Sequence, residues 1–351
     1  MGSESAAAFK SKCVNNHSCS SSCATTDSSG QPQPQVLHQQ PDSSGQPQEP
    51  HQQPDSSGQP VVTKPSWIKV RSSSYEVERF WTTMEIIKKH GIGTVCEDAL
   101  CPNLGECWKD GVATFLIMGS ICSRNCSFCN IPCGTPRALD PSEPTRVAMA
   151  IRELELKYVV ITSVTRDDLP DGGAAHFAEM VQGVRDISPE TKIEVLTSDF
   201  GGATDAIATM VKSNPDVFAH NIEIVKRLHH AVKRAPSNYN TSLKLLKYMK
   251  ELSPGIVSKS GLIVGVGETK DDVIETLNDL YEAGVDIVTI GQYLSPPASC
   301  LPVARYLHVE EFQDLCEIAL GIGIKNVVSG PLVRSSYKAN ESYSSICSLK
   351  R

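Results

Sequence analysis

Cys122, Cys126 and Cys129 stand in a Cys-x3-Cys-x2-Cys pattern, and Cys96, Cys101 and Cys107 stand upstream in a Cys-x4-Cys-x5-Cys pattern. Soft thiolates select iron–sulfur clusters or zinc over hard cations. Three thiols on one short loop can wrap one face of a cubane cluster and leave its fourth iron open to a ligand that is not protein. A structural zinc site usually completes four protein ligands, often as paired Cys-x2-Cys units. The downstream loop offers three close thiols and no evident fourth, so a cluster is the better reading. Read alone, the upstream triplet fits a zinc or structural thiol site equally well, and its closeness to a cluster loop favours a second cluster. The chain has 13 cysteines, an odd and unevenly spaced set. That argues against a secreted disulfide scaffold and for thiols kept reduced.

A loop of this kind needs a rigid element to present it. The apolar run Ala113–Met118 directly precedes Cys122 and reads as a strand. Further strand-like runs are Tyr158–Ile161, Lys192–Leu196, Val217–Ala219, Gly261–Val264, Ile287–Ile290 and Asn326–Val328. Between them lie stretches with helical apolar spacing: Arg146–Leu156, Ala174–Arg185, Leu243–Leu252 and Asp271–Ala283. A first helix is expected over Tyr75–His90, stopped by Gly91. Alternating strands and helices predict an α/β fold with a parallel sheet. Six or seven such units fit a complete or partial β/α barrel. The unusual residues fall just after strands, at Thr162–Asp168, His220–Glu223, Gly265–Glu268 and Gly291–Tyr293. In a β/α barrel those loops build the active site.

The 351 residues are 40% hydrophobic with a net charge of −7. The acidic balance argues against a nucleic-acid partner, and no apolar run is long enough to span a membrane. Residues 1–62 differ in composition from the rest. The string HQQPDSSGQP occupies 38–47 and recurs at 51–60, and a segment so rich in Ser, Gln, Pro and Gly is expected to be disordered. Cys13, Cys19 and Cys23 lie there beside His17, and composition favours incidental thiols over a small metal site. The absence of Arg from residues 1–60 argues against a transit peptide, and Ala6 breaks the myristoylation pattern.

Longer motifs add a resemblance. Cys96-Glu-Asp-Ala-Leu-Cys101-Pro-Asn-Leu-Gly-Glu-Cys107-Trp108 precedes the Cys122/Cys126/Cys129 loop, and Thr162-Ser-Val-Thr-Arg-Asp-Asp-Leu-Pro-Asp-Gly-Gly173 follows it. Then come Ala219-His-Asn-Ile-Glu223, Gly265-Val-Gly-Glu268, Gly291-Gln-Tyr293 and Ser329-Gly-Pro-Leu-Val-Arg-Ser-Ser-Tyr337. From about Trp67 to Ala339 the chain resembles the lipoyl synthases of the radical S-adenosylmethionine superfamily. The resemblance implies a partial (β/α)6-type TIM barrel with an N-terminal auxiliary-cluster extension and a C-terminal extension. The expected divisions are 1–62 for the tail, 63–111 for the auxiliary segment, 112–333 for the barrel and 334–351 for a closing segment.

It implies two 4Fe–4S clusters. Cys122, Cys126 and Cys129 would hold the one that binds S-adenosylmethionine; Cys96, Cys101 and Cys107, closed by Ser336, would hold the other. The implied reaction inserts two sulfur atoms at C6 and C8 of an octanoyl-lysine on a lipoyl carrier domain. The C–H bonds attacked are unactivated, so a 5′-deoxyadenosyl radical is required, and cofactors carry such chemistry. Gly172, Gly173, Asn221, Glu223, Gly265 and Gly267 are expected around the cosubstrate, although loop glycines are more often turns. His220 is assigned no chemistry, Cys316 is expected in the core and Cys347 exposed in a tail. Expected partners are octanoylated carrier domains of 2-oxoacid dehydrogenase complexes or the glycine cleavage H protein. A one-electron donor such as ferredoxin or flavodoxin and an iron–sulfur cluster carrier are expected besides. The expected location is the cytoplasm, with mitochondrion or plastid as the alternative in a eukaryote. Three departures from the family stand at Ser120, Ser127 and Ala298-Ser299-Cys300. Two rivals are a radical sulfur-inserting enzyme acting on a small molecule, and a cluster-binding redox sensor that cleaves no cosubstrate.

Overall fold

Short apolar runs become strands here because helices cover one of their faces. The computed structural model describes residues 35–36, 52–54, 60–68, 77–109, 113–234, 236, 238–296 and 300–349. Residues 1–33, with Cys13, Cys19, Cys23 and most of the tail expected to be disordered, lie outside these. Three short strands fall in the rest of that tail: β1 (Gln35–Val36), β2 (Gln52–Pro54) and β3 (Pro60–Val62). Helix α1 (Val77–Lys89), strand β4 (Gly93–Thr94) and helices α2 (Val95–Asp98) and α3 (Leu104–Lys109) precede the barrel, in the segment expected to hold the auxiliary cluster. Strand β5 (Thr114–Ile117) then opens a regular alternation: α4 (Glu143–Glu153), β6 (Tyr158–Ser163), α5 (Ala174–Ile187), β7 (Lys192–Leu196), α6 (Thr204–Lys212) and β8 (Val217–Ala219). It continues through α7 (Tyr239–Leu252), β9 (Val257–Val264), α8 (Lys270–Glu282), β10 (Ile287–Gln292), α9 (Val309–Ile322) and β11 (Asn326–Gly330), and α10 (Ala339–Leu349) ends it.

Strands β5 to β11 lie side by side in chain order, all parallel. Winding in one direction without reversal is the order of a barrel, whereas a doubly wound sheet reverses. The sheet does not close: β4 flanks β5 in antiparallel sense and β1 flanks β11. Six strand–helix units and a seventh strand thus make a partial barrel, as expected.

Side chains alternate across each strand. Val159, Ile161, Ile193, Val195, Phe218, Leu262, Val288 and Ile290 face the main core under α4–α9. The opposite, concave face has its own small cluster: Val217, Val257 and Ile287 pack with Ile346 of α10, flanked by Tyr158 and Tyr343. Helix α10 therefore lies on the inner side of the sheet. Cys347 sits half-buried in it, and not in an exposed tail, because the helix docks there. Strand β9 begins four residues earlier than its apolar run suggests. Three of its first four residues, Ser258, Lys259 and Ser260, are polar and yet buried, since Lys259 Nζ bonds Glu194 at 2.8 Å and Ser258 Oγ bonds Asp286 at 3.0 Å.

Candidate cluster and cosubstrate site

The Cys122 loop is built from backbone bonds before its thiols are considered. At its root the Met118 amide donates to both oxygens of Glu143, at 2.9 and 3.2 Å. The Cys122 amide donates to the Pro132 carbonyl at 2.8 Å, and the Gly134 amide returns to the Cys122 carbonyl at 3.0 Å. The Cys129 amide closes a turn on the Cys126 carbonyl at 3.0 Å. Neighbouring strand-end loops hold this frame: Ser123 N bonds Thr165 O, and Ser127 N bonds Val232 O, both at 3.0 Å.

Arg124, between two of the cysteines, is the main strut. Its guanidinium donates to Asp167 at 2.7 and 2.8 Å and to Asp199 at 2.7 and 2.8 Å. Burial works to lower its pKa, and the two carboxylates more than reverse that. One side chain thereby ties the loops after β5, β6 and β7. Sequence reasoning missed this strut. The available signal was that Asp199 also follows a strand directly.

The residues present fit an iron–sulfur cluster. No described cysteine is in a disulfide. The Arg124 amide points at the Cys122 sulfur, 3.4 Å away, which suits a thiolate acceptor. Burial pushes the Cys126 thiol up to about 12, with Arg234 pulling the other way. Metal binding must therefore displace a proton there. Ser127, between Cys126 and Cys129, has a buried hydroxyl without a partner. Arg234 is buried and donates only to neutral groups, the carbonyls of Asn221 and Ile222, Ser242 and the histidines His220 and His229. Its charge acts on Cys126 and on Glu223.

Glu223 comes to the same place from β8. Its φ is +68°, uncommon for a residue with a Cβ. Its carboxyl is pushed up by burial, with Arg234 and Asn221 opposing, and its charge acts on Cys126 and Cys129. Asn221 accepts from Ser335 Oγ, which joins this rim to the C-terminal segment. His220 is fully buried between the Thr197 carbonyl and Ser242, which is structural packing.

Packing alone accounts for several glycines placed around the cosubstrate. Gly172 and Gly173 have φ of +60° and +89° at the start of α5, and a Cβ on Gly173 would lie 2.4 Å from the Met118 sulfur. A Cβ on Gly265 would lie 2.1 Å from Gln292 Nε2 and 2.5 Å from the Arg305 carbonyl, so protein fills the space left there. The carboxylate of Glu268 binds the Gly265 and Val266 amides, at 2.6 and 2.9 Å, and holds that loop. Only Gly267 faces open space, with Ala304 at 4.0 Å.

The upstream triplet shares a small cavity with Asn103, Thr114, Arg334, Ser336 and Tyr337. Ends of the chain far apart in sequence are stitched together around it. Asn103 Nδ2 donates to the Leu332 carbonyl at 2.7 Å, and Tyr337 Oη to Glu106 at 3.1 Å. Among the described residues no three His, Cys or carboxylate groups converge as on a single metal ion. The thiols and Ser336 border a space rather than a point. The buried indole N–H of Trp108 faces the Cys96 sulfur and favours its thiolate. Burial pushes the Cys96 and Cys101 thiols up. Arg334 donates to the carbonyls of Gln292 and Val333, at 3.2 and 2.7 Å, and faces Cys101.

The model of the family described as the radical SAM superfamily matches residues 116–280. A lipoyl synthase of Pyrobaculum calidifontis is 52% identical over 80% of this chain and 96% of its own. One of Caldicellulosiruptor bescii is 50% identical, covering 79% and 94%, and one of Deinococcus radiodurans 46%, covering 79% and 84%.

Proposed function

The chain belongs to the lipoyl synthase family, and on that premise we propose how its own residues carry out the reaction. It is a radical S-adenosylmethionine enzyme of the sulfurtransferase class. Its substrate is an octanoyl group on a carrier-domain lysine, which receives sulfur at C6 and C8. When bound, a 4Fe–4S cluster at Cys122, Cys126 and Cys129 supplies the electron that cleaves S-adenosylmethionine, and a second at Cys96, Cys101, Cys107 and Ser336 supplies the sulfur. Glu223 and Asn221 hold the ribose. The main chain at Gly172–Gly173 and at Gly265–Gly267 borders the methionyl and adenine ends. Arg234 balances negative charge at the Cys126 side, and Arg334 does so beside Cys101. Arg124 keeps the cysteine loop in register with the two loops that follow it.

The observation that carries this reading is the shared cavity of Cys96, Cys101, Cys107 and Ser336. A zinc or sensor site has no need of a hydroxyl delivered from the far side of a barrel. Three thiolates and one oxygen give a closed shell with one hard, weak corner, suited to a cluster that must give up atoms. The carrier domains of 2-oxoacid dehydrogenase complexes or the glycine cleavage H protein fit as substrates. A ferredoxin- or flavodoxin-like donor and a cluster carrier fit as partners. Among the described residues no helix is long and apolar enough to cross a membrane. Thiols left free of disulfides suit a reducing compartment such as the cytoplasm. The divisions 63–111, 112–333 and 334–351 are proposed as auxiliary segment, barrel and closing segment.

Anaerobic reconstitution tests the reading. With reductant, S-adenosylmethionine and an octanoyl-lysyl peptide, mass spectrometry should find the dithiolated peptide. Cosubstrate cleavage without any thiolation, by protein carrying iron for two clusters, would overturn it. Ser336→Ala is expected to lose thiolation and keep cleavage.

A further inference from the structure

The loop after β10 is tied to the Cys122 loop at Cys300 and at Leu301. Leu301 N donates to the Ser127 carbonyl at 2.6 Å. The Cys300 thiol donates to the carbonyl of Cys129 itself at 3.5 Å. Tyr293 Oη and Ser295 Oγ hold the Leu301 carbonyl at 2.7 and 3.0 Å, which anchors Leu301. Cys129 is exposed and Cys300 half-buried, so a small oxidant reaches both. The charge of Cys300 acts on Cys129, and both act on Tyr293, which places the two thiols in one microenvironment. A disulfide needs Cα atoms within about 4.4–6.8 Å. With the Cys300 sulfur 3.5 Å from the Cys129 carbonyl oxygen, the two residues are immediate neighbours.

We propose that Cys300 forms a reversible disulfide with Cys129 when the Cys122 loop stands without iron, with peroxide as the oxidant. This rests on Cys129 being a cluster ligand. The chemistry balances simply. Peroxide oxidises one thiol to a sulfenic acid and releases one water. The second thiol's sulfur attacks it, the S–S bond forms, and a second water leaves with the thiol proton. Two thiols and one hydrogen peroxide give one disulfide and two waters. While iron occupies Cys129 the sulfur's lone pair is engaged and the bond does not form. The benefit is chemical. A sulfenic acid with no adjacent thiol is oxidised onward to sulfinic acid, which thiols do not reverse. A resolving cysteine stops that ladder at a state that a dithiol restores.

The test uses the full chain, with Cys300→Ser and Cys300→Ala beside it. Iron is removed anaerobically with a chelator, two equivalents of hydrogen peroxide per chain are added, the amount that takes one thiol to sulfinic acid, free thiols are alkylated and the digest is mapped without reduction. The wild-type digest should contain the Cys129 and Cys300 peptides joined, and both variants should show sulfinic acid at Cys129 instead. After dithiothreitol the wild type should take up iron again, and the variants several-fold less. A Cys126–Cys129 or Cys122–Cys133 link as the main product overturns the proposal. So do variants that recover iron as fully as the wild type. Failure of never-oxidised wild type to take up iron at all would sink the cluster reading instead, whatever the peptide map shows. Both variants are expected to melt at the wild-type temperature, which separates chemistry from misfolding.

Discussion

Arg124 sits between two ligand cysteines in the chain and between two carboxylates in space. Its removal strands Asp199, which is fully buried, without its cation. Breaking such a pair costs about 3–5 kcal/mol. Arg124→Ala should therefore lower the Tm and reduce iron at the Cys122 loop. Arg124→Lys, which keeps the charge and loses the two-sided fork, should recover part of the stability and little of the iron. A variant that binds iron at the wild-type level would refute the strut. At Ser336 the oxygen corner is the point: Ser336→Cys should bind iron fully and thiolate more slowly, measured as dithiolated peptide per iron. Cys122, Cys126 and Cys129 were legible by spacing, because cluster chemistry constrains spacing, whereas Cys96, Cys101 and Cys107 were so only through their closeness to that loop. Ser336 was not, since a lone serine carries no pattern and only resemblance singled it out. Arg124 escaped because its partners, Asp167 and Asp199, lie on two other loops and no periodicity links them. At Gly173 and Gly265 the residue type was noticed, and packing against Met118 and Gln292 is what demands it.

Helix α10 does more than end the chain. It packs Ile346 against Val217, Val257 and Ile287 and sets Tyr343 against Asp216 at 3.3 Å. The segment before it passes so close to the sheet that a Cβ on Gly291 would lie 2.2 Å from the Val333 carbonyl. The helix and that segment form one continuous strut that carries Ser336 between them. The double variant Tyr343→Ala/Ile346→Ala should unseat it. The Ile346 truncation alone costs roughly 2–5 kcal/mol locally. The expected result is loss of auxiliary iron with cosubstrate cleavage retained. Equal loss of iron from both sites would argue against such a strut. Strand–helix alternation made the barrel legible from β5 to β11, because each strand's outer face is apolar and each helix has a matching stripe. The auxiliary segment and α10 were less legible. Helices α2 and α3 are too short for a period to show, and α10 carries serines and a cysteine where a core helix usually carries aliphatic residues.

The whole molecule carries a pH signature. Burial first, and then the charge of Arg234, push both His220 and His229 down to about 4. Both are neutral in the fold, while the unfolded chain takes up protons below about 6.5. Stability is therefore complete above pH 6.5 and falls as the pH drops from there toward 4. The slope is on the order of 1 kcal/mol per pH unit per histidine. A series of Tm values from pH 7 to 5 should show the fall, and His220→Gln should flatten it. A wild-type Tm constant over that range would contradict the assignment. The two sites also differ in when they can come into being. Cys122, Cys126 and Cys129 are neighbours in the chain, so their loop needs little more than β5 and local turns. The proposed auxiliary site would take three ligands from before the barrel and Ser336 from after it, a pairing with high closure entropy that would form late. A misfolded or half-finished barrel offers iron a three-thiol site at best. On the proposed ligand set, Cys96, Cys101, Cys107 and Ser336 come together only once the barrel is complete, so a full auxiliary site would report a finished fold.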